Sequence, residues 1–456
     1  MKTAKVQPKN VETYFDVKDI FFSSTDTRGI IQEGNKVFYE VSKYPPEEMI
    51  GKPHNIVRHP DMPGVIFKLF WDHIKNKKPV VAYVKNLAKD GSYYWVMALA
   101  MPIIGRDGKI KKYLSIRVKP TSKFFKTIPE LYKKLQYIEN KYGLDDALSH
   151  LQEEIEKLGF KSYDEFMFSV LREEILNKWS VLKVGKTDFH PNDSFSKSIY
   201  TIFKYSRSID EIYEEIYLKI SKLEEFGSIL KEKSNYIFNL TDNIRLISLN
   251  SSVESFKLGS EGASFSVLSA EMRKNSEIGN KVIEDIRKTT QQISINLTDM
   301  INSLSISKLE ILTITQFLKE FTVNRNSSLQ SLCDLMYLLQ ESAKKDVELS
   351  SQLNRLFMEI SEDIKKLKIL IKRLEFLYLN GMVESAHQTE TSFSIIFTEV
   401  NKLVESTRSV VAQINNPLVE VSDENKKIYE NVQKVMTYLG RIQKELANIN
   451  ANCQVY

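Results

Sequence analysis

The side chains best suited to bind a ligand or a cofactor are concentrated near the N-terminus. Three of the six histidines precede residue 74, and His54 and His59 lie on either side of Arg58, just before Asp61. Arginine can pair with a phosphate through two hydrogen bonds, and histidine can donate to phosphate or ring carbonyls, or ligate haem iron. By itself, the run from Arg58 to Asp61 is more typical of a surface loop whose polar groups cap a neighbouring helix.

The remainder of the sequence contains no recognisable catalytic set. It has no nucleophile elbow, no P-loop and no HExxH motif. No histidine-kinase signature, in which a phosphoacceptor helix precedes an ATP-binding domain with glycine boxes, follows the N-terminal region. We therefore expect no enzyme, and any redox change would serve sensing rather than turnover.

The composition is that of a folded protein with little bias of charge. Hydrophobic residues make up 42% of the 456 residues, and 64 basic residues against 59 acidic ones give a net charge of +5. Such a small excess argues against a nucleic-acid binder, which needs a clustered basic face.

The sequence also suggests the compartment. The two cysteines, Cys333 and Cys453, are far apart and form no CxxC or Cys/His cluster. Neither a disulfide framework nor a zinc site is expected, which fits a reducing cytoplasm. No signal-peptide core follows Met1, and no apolar run reaches about 18 residues. A cytoplasmic protein without a membrane span is expected.

The distribution of proline divides the chain into a head and a stalk. Ten of the 12 prolines precede residue 130, and proline breaks helices. The head should be α+β, with Asp90–Gly91 as a hairpin turn. Its predicted elements are short helices at Gly34–Val41 and Pro63–Lys75, and antiparallel strands at Val80–Asn86, Tyr93–Pro102 and Tyr113–Val118.

Residues 121–205 are predicted to be a helical linker with a break at Val184–Asn192, and heptads follow. Apolar residues recur every seven positions, which predicts long antiparallel helices in a coiled coil or bundle. The glycines of Gly259–Ser264 are enough to reverse the chain. The heptad runs are Ile209, Ile216, Leu223, Leu230, Ile237 and Ile244; then Leu297, Leu304, Ile311 and Leu318; then Leu353, Ile360, Leu367 and Leu374.

The stalk contains an internal repeat. The sequence IRLISLNSSVES at Ile244–Ser255 matches LEFLYLNGMVES at Leu374–Ser385, and further on Phe265 matches Phe393. The order of the matches favours a duplicated hairpin. Chance similarity between two coiled coils is the alternative.

Residues 16–120 resemble the PAS domain of bacterial aerotaxis receptors. The run GKPHNIVRHPDMP at Gly51–Pro63 carries the resemblance most specifically, and VKNLAKDGSYYWVMALAMPI and YLSIRVKP extend it. The resemblance implies an antiparallel sheet with short helices that enclose a ligand cleft. It also implies a flavin, usually FAD, whose redox state the head would read.

Six positions match the flavin site of that family: Asn35, His54, Arg58, His59, Asp61 and Trp71. Two alternatives to a flavin are haem, with His54 and His59 as possible iron ligands, and an interaction module without a cofactor.

A set of residues around the turn at Gly259 follows the order and spacing of a known family: Leu249, Asn250, Val253, Glu254, Gly259, Gly262, Phe265, Val267, Glu271 and Arg273. On these residues, the segment 209–305 resembles the signalling hairpin of methyl-accepting chemotaxis proteins. This resemblance implies contacts with the adaptor CheW and the histidine kinase CheA, and homodimers that form higher clusters. The chain departs from the family at Asp242 and Arg245, where a charge replaces an aromatic and an amide residue. The positions of the family's partner contacts are Leu246, Leu249, Asn250, Glu254, Lys257 and Val267.

The sequence therefore predicts an α+β PAS domain followed by a long all-α antiparallel coiled-coil and hairpin region. A soluble sensory transducer for redox, oxygen or energy taxis is the preferred function. A PAS-bearing scaffold that docks a partner receptor without controlling a kinase is the alternative, and a flavin oxidoreductase is a third. The predicted domains are residues 15–120 (sensor), 121–205 (linker), 206–330 (signalling hairpin) and 331–456 (second, degenerate hairpin).

Overall fold

The computed structural model describes residues 6–178, 181, 191–323, 329–387 and 392–449. The predicted helix break at Val184–Asn192 lies outside these residues except for its last two positions. The chain forms two compact units. The first comprises residues 1–214, 301–345 and 434–456, and the second comprises residues 215–300 and 346–433.

The head contains a five-stranded antiparallel sheet in the order β2-β1-β5-β4-β3. The three predicted strands are present, but two strands that precede them were missed. β1 is buried on both faces and β2 has only four residues, so neither shows the alternation that marks a half-buried strand. The strands are β1 Ile20–Thr25, β2 Ile31–Gly34, β3 Val80–Leu87, β4 Tyr93–Ile104 and β5 Ile110–Val118.

Short helices connect β2 to β3 across one face of the sheet. Asn35 begins the first of them, because its Oδ1 accepts a hydrogen bond from the backbone N–H of Phe38 (3.2 Å). Both predicted helices are present within two residues of their predicted limits. The elements are α1 Lys36–Ser42, α2 Pro46–Met49, a 3₁₀ turn at His54–Val57 and α3 Gly64–Lys75.

Three helices of the predicted linker pack on the head: α4 Ile128–Tyr142, α5 Leu144–Lys157 and α6 Tyr163–Lys178. A buried carboxylate, Glu174, fixes them to the end of the sheet. It accepts hydrogen bonds from the hydroxyl of Tyr83 (3.0 Å) and from the backbone N–H of Ser122 (2.9 Å). Lys178 Nζ lies 2.5 Å from the same carboxylate and balances its charge. Such a buried charge is tolerated because it is both paired and hydrogen-bonded.

The stalk consists of four long helices. Every residue in the predicted heptad runs is buried, from Ile209 to Leu374. The chain reverses at a 3₁₀ turn, Gly259–Gly262, where a Cβ on Gly262 would overlap the carbonyl oxygen of Ser255. The helices are α7 Ser194–Lys257, α8 Ala263–Val323, α9 Leu329–Ala386 and α10 Ser392–Asn448. With the sheet of the head, they confirm the predicted fold class.

Cys333 is disulfide-bonded, so the expectation of no disulfide was wrong for this residue. Cys453, the only other cysteine in the sequence, lies outside the described residues. Among the described residues, no helix combines the length and apolar character needed to span a bilayer.

Candidate ligand-binding cavity

A cavity of about 480 Å³ lies in the head, between the sheet and the segment that holds the 3₁₀ turn and α3. Alternate residues of a strand point to the same face, and small side chains occupy the inward positions at the centre. Ala98 and Ala100 on β4 and Ser115 on β5 leave this space open. Its volume is typical of sites that bind small molecules or cofactors.

Arg117 on β5 brings a positive charge into this cavity although it is only 5% exposed. Its Nη2 donates to Ser23 Oγ and to His54 Nε2, both at 2.6 Å. Its Nη1 is buried and, within the described residues, has no hydrogen-bond partner. An unpaired buried donor is costly, so this N–H is available to an acceptor group of a bound molecule.

The geometry determines the protonation of His54. A guanidinium can only donate, so Nε2 of His54 accepts and the ring is neutral, with its proton on Nδ1. Burial, reinforced by the charge of Arg117, lowers the pKa of His54 to about 3. The ring also stacks on Phe38, with centroids 5.6 Å apart. The pair thus has a single positive charge near neutral pH, and Arg117 carries it.

Aromatic side chains from α3 form the opposite wall. Trp71 meets Tyr113 of β5 edge-to-face, with ring centroids 5.8 Å apart. Gly29 lies under the indole, and a Cβ there would be 3.1 Å from Trp71 Cη2. The residue also has a positive φ of 78°, so glycine is favoured on both counts. This wall can pack against a planar ring.

The charges that line the cavity all have the same sign. Four basic side chains line it, and no carboxylate of the described residues does so. Arg28 is bound to Asp26 outside the cavity (2.9 Å), and Lys68 lies 3.2 Å from Asp145. The four basic residues are Arg28, Arg58, Lys68 and Arg117. Such a lining suits an anionic ligand, for example one with phosphate groups.

The linker helices hold α3 against the cavity. No side chain within α3 caps its N-terminus, and Oε2 of Glu139 on α4 instead accepts from the N–H of Val65 (3.1 Å). The contact between Lys68 and Asp145 joins α3 to α5, and His73 Nε2 lies 2.7 Å from Asp164 on α6. The linker therefore positions one wall of the candidate site, a role that its sequence did not reveal.

Three of the six residues predicted to bind a flavin line the cavity: His54, Arg58 and Trp71. Arg58 is near its edge, where its Nη2 donates to the carbonyl of Met62 (3.0 Å) and its guanidinium lies 4.4 Å from the ring centre of Phe67.

The other three residues serve the architecture around the cavity. Asn35 uses its side chain within the backbone network, since Nδ2 donates to the carbonyl of Ile20 (2.7 Å) while Oδ1 caps α1. His59 is buried, and its Nδ1 accepts from the N–H of Asp61 (3.1 Å). The carboxylate of Asp61 pairs with Lys85 (2.6 Å). None of these three side chains lines the cavity.

Arg117 was missed because the predicted site followed positions matched to the flavin site of a family, and four of those six lie in the single run Gly51–Pro63. Its signal in the sequence is a lone arginine in the apolar strand YLSIRV, since a buried strand rarely carries a charge without a partner or ligand. Asn86 on β3, 5% exposed, also lines the cavity and was missed.

The residues predicted to contact partners lie around the end of the first hairpin. Leu246 and Val267 are 47% and 64% exposed. Asn250 and Lys257 are also exposed, and Leu249 and Glu254 are half-buried.

Asp242 and Arg245, the two positions that depart from the chemotaxis-protein pattern, lie at the surface of this hairpin. The charges at Asp242 and Arg245 neutralise each other through an ion pair of 2.8 Å, with both side chains more than a third exposed. The substitution therefore places no unpaired carboxylate in the core.

Comparison with known proteins agrees with this description of the head. Residues 33–117 match the family model described as "PAS fold". The head has a PAS fold. The aerotaxis receptor of Escherichia coli (strain K12) is 43% identical over 113 residues, which are 25% of this chain and 22% of the receptor. The resemblance proposed for the head is thus supported.

A second relative is more distant in sequence. The bacterioopsin transcriptional activator of Halobacterium salinarum is 25% identical over 95 residues, 21% of this chain and 14% of the activator. The chain therefore spans less than a quarter of either relative. A light-oxygen-voltage domain studied with a flavin analogue is 17% identical, with a TM-score of 0.23, over 24% of this chain and 84% of that one.

Proposed function

We propose that the chain is a sensory transducer in which a flavin bound by the PAS head biases the packing of the long helices. The observation that carries the proposal is the unpaired Nη1 of Arg117, buried in a cavity of about 480 Å³. A buried donor without a protein partner indicates that a ligand completes the site. The similarity of the head to an aerotaxis receptor supports a sensory role.

The residues of the cavity fit a flavin. Arg117 would donate to a carbonyl of the ring, and the amide of Asn86 can both donate and accept at its edge. Trp71 and Tyr113 would pack against the ring system. When bound, a flavin supplies a ring that takes up and releases electrons and protons.

The basic residues nearer the exterior favour FAD as the particular flavin. Arg58 and Lys68 are solvent-exposed and line the cavity, where they can neutralise the pyrophosphate. The six-residue set predicted from the resemblance is thereby revised, with Arg117 and Asn86 taking the roles proposed for the ring.

The sheet offers a direct connection between this site and the helices of the same unit. Ser23, which accepts from Arg117, directly follows Phe22 on β1, and neighbouring residues of a strand point to opposite faces of the sheet. Phe22 meets Phe317 of α8 edge-to-face, with ring centroids 4.9 Å apart. Lys112 on β5 pairs with buried Asp334 on α9 (2.7 Å). A change in the hydrogen bonds of Arg117 would therefore act on strands that contact α8 and α9.

The spectrum of the purified full-length chain tests the cofactor. We expect flavin absorbance, and FAD rather than FMN in the extract of the denatured protein. A Soret band would instead indicate haem. A colourless protein that also fails to bind added FAD would contradict the flavin proposal.

On the output side we propose that the first hairpin engages a chemotaxis adaptor and kinase of the CheW and CheA type. The exposed apolar residues at its end, Leu246 and Val267 among them, support this role. A pull-down with purified CheW and CheA provides the test. An absence of binding would favour the alternative of a scaffold that docks a partner receptor without controlling a kinase.

We propose that the chain has no enzymatic activity. Turnover of NADH above the background of free flavin would contradict this proposal.

A further inference from the structure

The two hairpins of the stalk are built to the same plan. Matched positions of α7 and α9 are 130 residues apart, as in Ile244 and Leu374. Matched positions of α8 and α10 are 128 residues apart, as in Phe265 and Phe393. The paired helices are also similar in length, since α8 has 61 residues and α10 has 57.

Burial follows the same correspondence, well beyond the short sequence match. In five corresponding pairs spread along the helices, both members are at most 2% exposed. The pairs are Leu223 and Leu353, Leu230 and Ile360, Met272 and Val400, Ile286 and Ile414, and Ile311 and Leu439. Two hairpins that bury equivalent positions along their whole length are copies in structure as well as in sequence.

Equivalent residues also meet each other, which indicates an approximate two-fold axis. Phe265 and Phe393 stack with ring centroids 3.9 Å apart and planes 14° apart. Contacts within each hairpin correspond too. Ser251 and Ser269 share a hydrogen bond of 2.6 Å, and the residues equivalent to them, Gly381 and Phe397, pack directly against each other.

Each hairpin covers the apolar face of the other within the second compact unit. Asn275 Nδ2 on α8 donates to the carbonyl of Leu370 on α9 (2.9 Å). Lys219 on α7 pairs with Glu424 on α10 (3.1 Å). A lone amphipathic hairpin must bury its apolar stripe against a partner, and here the partner belongs to the same chain.

We propose that the second hairpin takes the place of a second copy of the chain, so that the four-helix core is a pseudo-dimer closed within one polypeptide. One sensor head then serves one complete bundle. Only five residues separate the end of α8 at Val323 from the start of α9 at Leu329. Even fully extended they reach about 20 Å, which favours pairing within the chain over exchange with another copy.

Because the copies have diverged, the two equivalent sides of the bundle differ in charge. Lys372 and Arg373 on α9 correspond to Asp242 and Asn243 on α7. Two identical chains related by a two-fold axis would present identical sides, so this bundle offers a difference that a homodimer cannot. The homodimer predicted from the resemblance is not needed to fill the core.

Paired cysteines in the full chain test the proposal. In a background with Cys333→Ser and Cys453→Ser, the F265C/F393C variant is treated with a short thiol cross-linker. We expect nearly all cross-linked protein to migrate as a single chain. We also expect no covalent dimer when the F265C and F393C single variants are co-expressed and treated in the same way.

Covalent dimers from the co-expressed single variants would overturn the proposal, because they require the two positions to meet between chains. The K219C/E424C variant, at an ion pair between α7 and α10, gives the same comparison if the first pair disturbs folding. The result is independent of the cofactor, since a colourless protein would contradict the flavin proposal and leave the intrachain cross-link unchanged.

Discussion

At the scale of single residues, the chemistry of the head depends on Arg117 and the two groups that accept from it. Nη2 of the guanidinium donates to Ser23 and His54, whereas the buried Nη1 has no hydrogen-bond partner among the described residues. Burial lowers the pKa of Arg117 to about 10, so the residue is still charged near neutral pH. A fixed charge whose Nη1 has no protein partner is suited to holding a polar ligand in a single orientation.

Replacing Arg117 should weaken flavin binding while sparing the fold. A hydrogen bond from a charged donor contributes about 1.5–3 kcal/mol, so R117M should raise the Kd for FAD by about 10- to 100-fold. The variant also removes a buried charge, so urea denaturation should show no large loss of stability. Arg106→Met, in the exposed turn between β4 and β5, is the control. Unchanged FAD affinity in R117M would place the ligand elsewhere.

His54 should make the protein sensitive to acid. The unfolded chain binds its proton with a pKa near 6.5 and the folded chain with a pKa of about 3, so between these values the unfolded state holds more protons. Stability should therefore fall with falling pH, by up to about 1.4 kcal/mol per unit. His54→Gln should flatten this slope in urea titrations from pH 7 to pH 4. His387→Gln, at the exposed end of α9, should not, and equal slopes in all three proteins would contradict the prediction.

At the scale of elements, the sequence predicted the helices best where an apolar repeat continues over many residues. Heptads identified the stalk, and the repeat around Asn250 and Asn380 identified the second hairpin. The role of α4–α6 was not readable, because it depends on contacts such as that of Glu139 with Val65, which are 74 residues apart. Likewise, Asn35, His59 and Asp61 do not line the cavity, since a motif shows which residues cluster but not which way each side chain points.

The hairpin packing predicts opposite effects at two helical glycines. A Cβ on Gly381 would overlap the ring of Phe397, whereas one on Gly440 would meet no atom within 4 Å. Gly381→Ala should destabilise the protein by about 1–3 kcal/mol through overpacking. Gly440→Ala should stabilise it by up to about 1 kcal/mol through helix propensity. Thermal and urea unfolding provide the measurement, and a more stable G381A protein would show that the ring is not fixed against α9.

At the scale of the whole molecule, α8 and α9 contact the sheet of the PAS head. The fold class was predictable because its two parts differ in proline content and periodicity. The contacts that join them were not, since Phe22 and Phe317 are far apart in sequence and neither belongs to a motif. Tyr337 on α9 adds a third contact by donating to the carbonyl of Ile104 on β4 (2.8 Å).

Hydrogen–deuterium exchange of the flavin-loaded full chain, oxidised and then chemically reduced, tests the central claim most directly. We predict that reduction changes amide exchange in β1 and also in the segments of α8 and α9 that contain Phe317 and Asp334. The same reductant applied to the flavin-free chain should change neither. A change confined to the residues around the cavity, with α8 and α9 unaffected, would contradict the account.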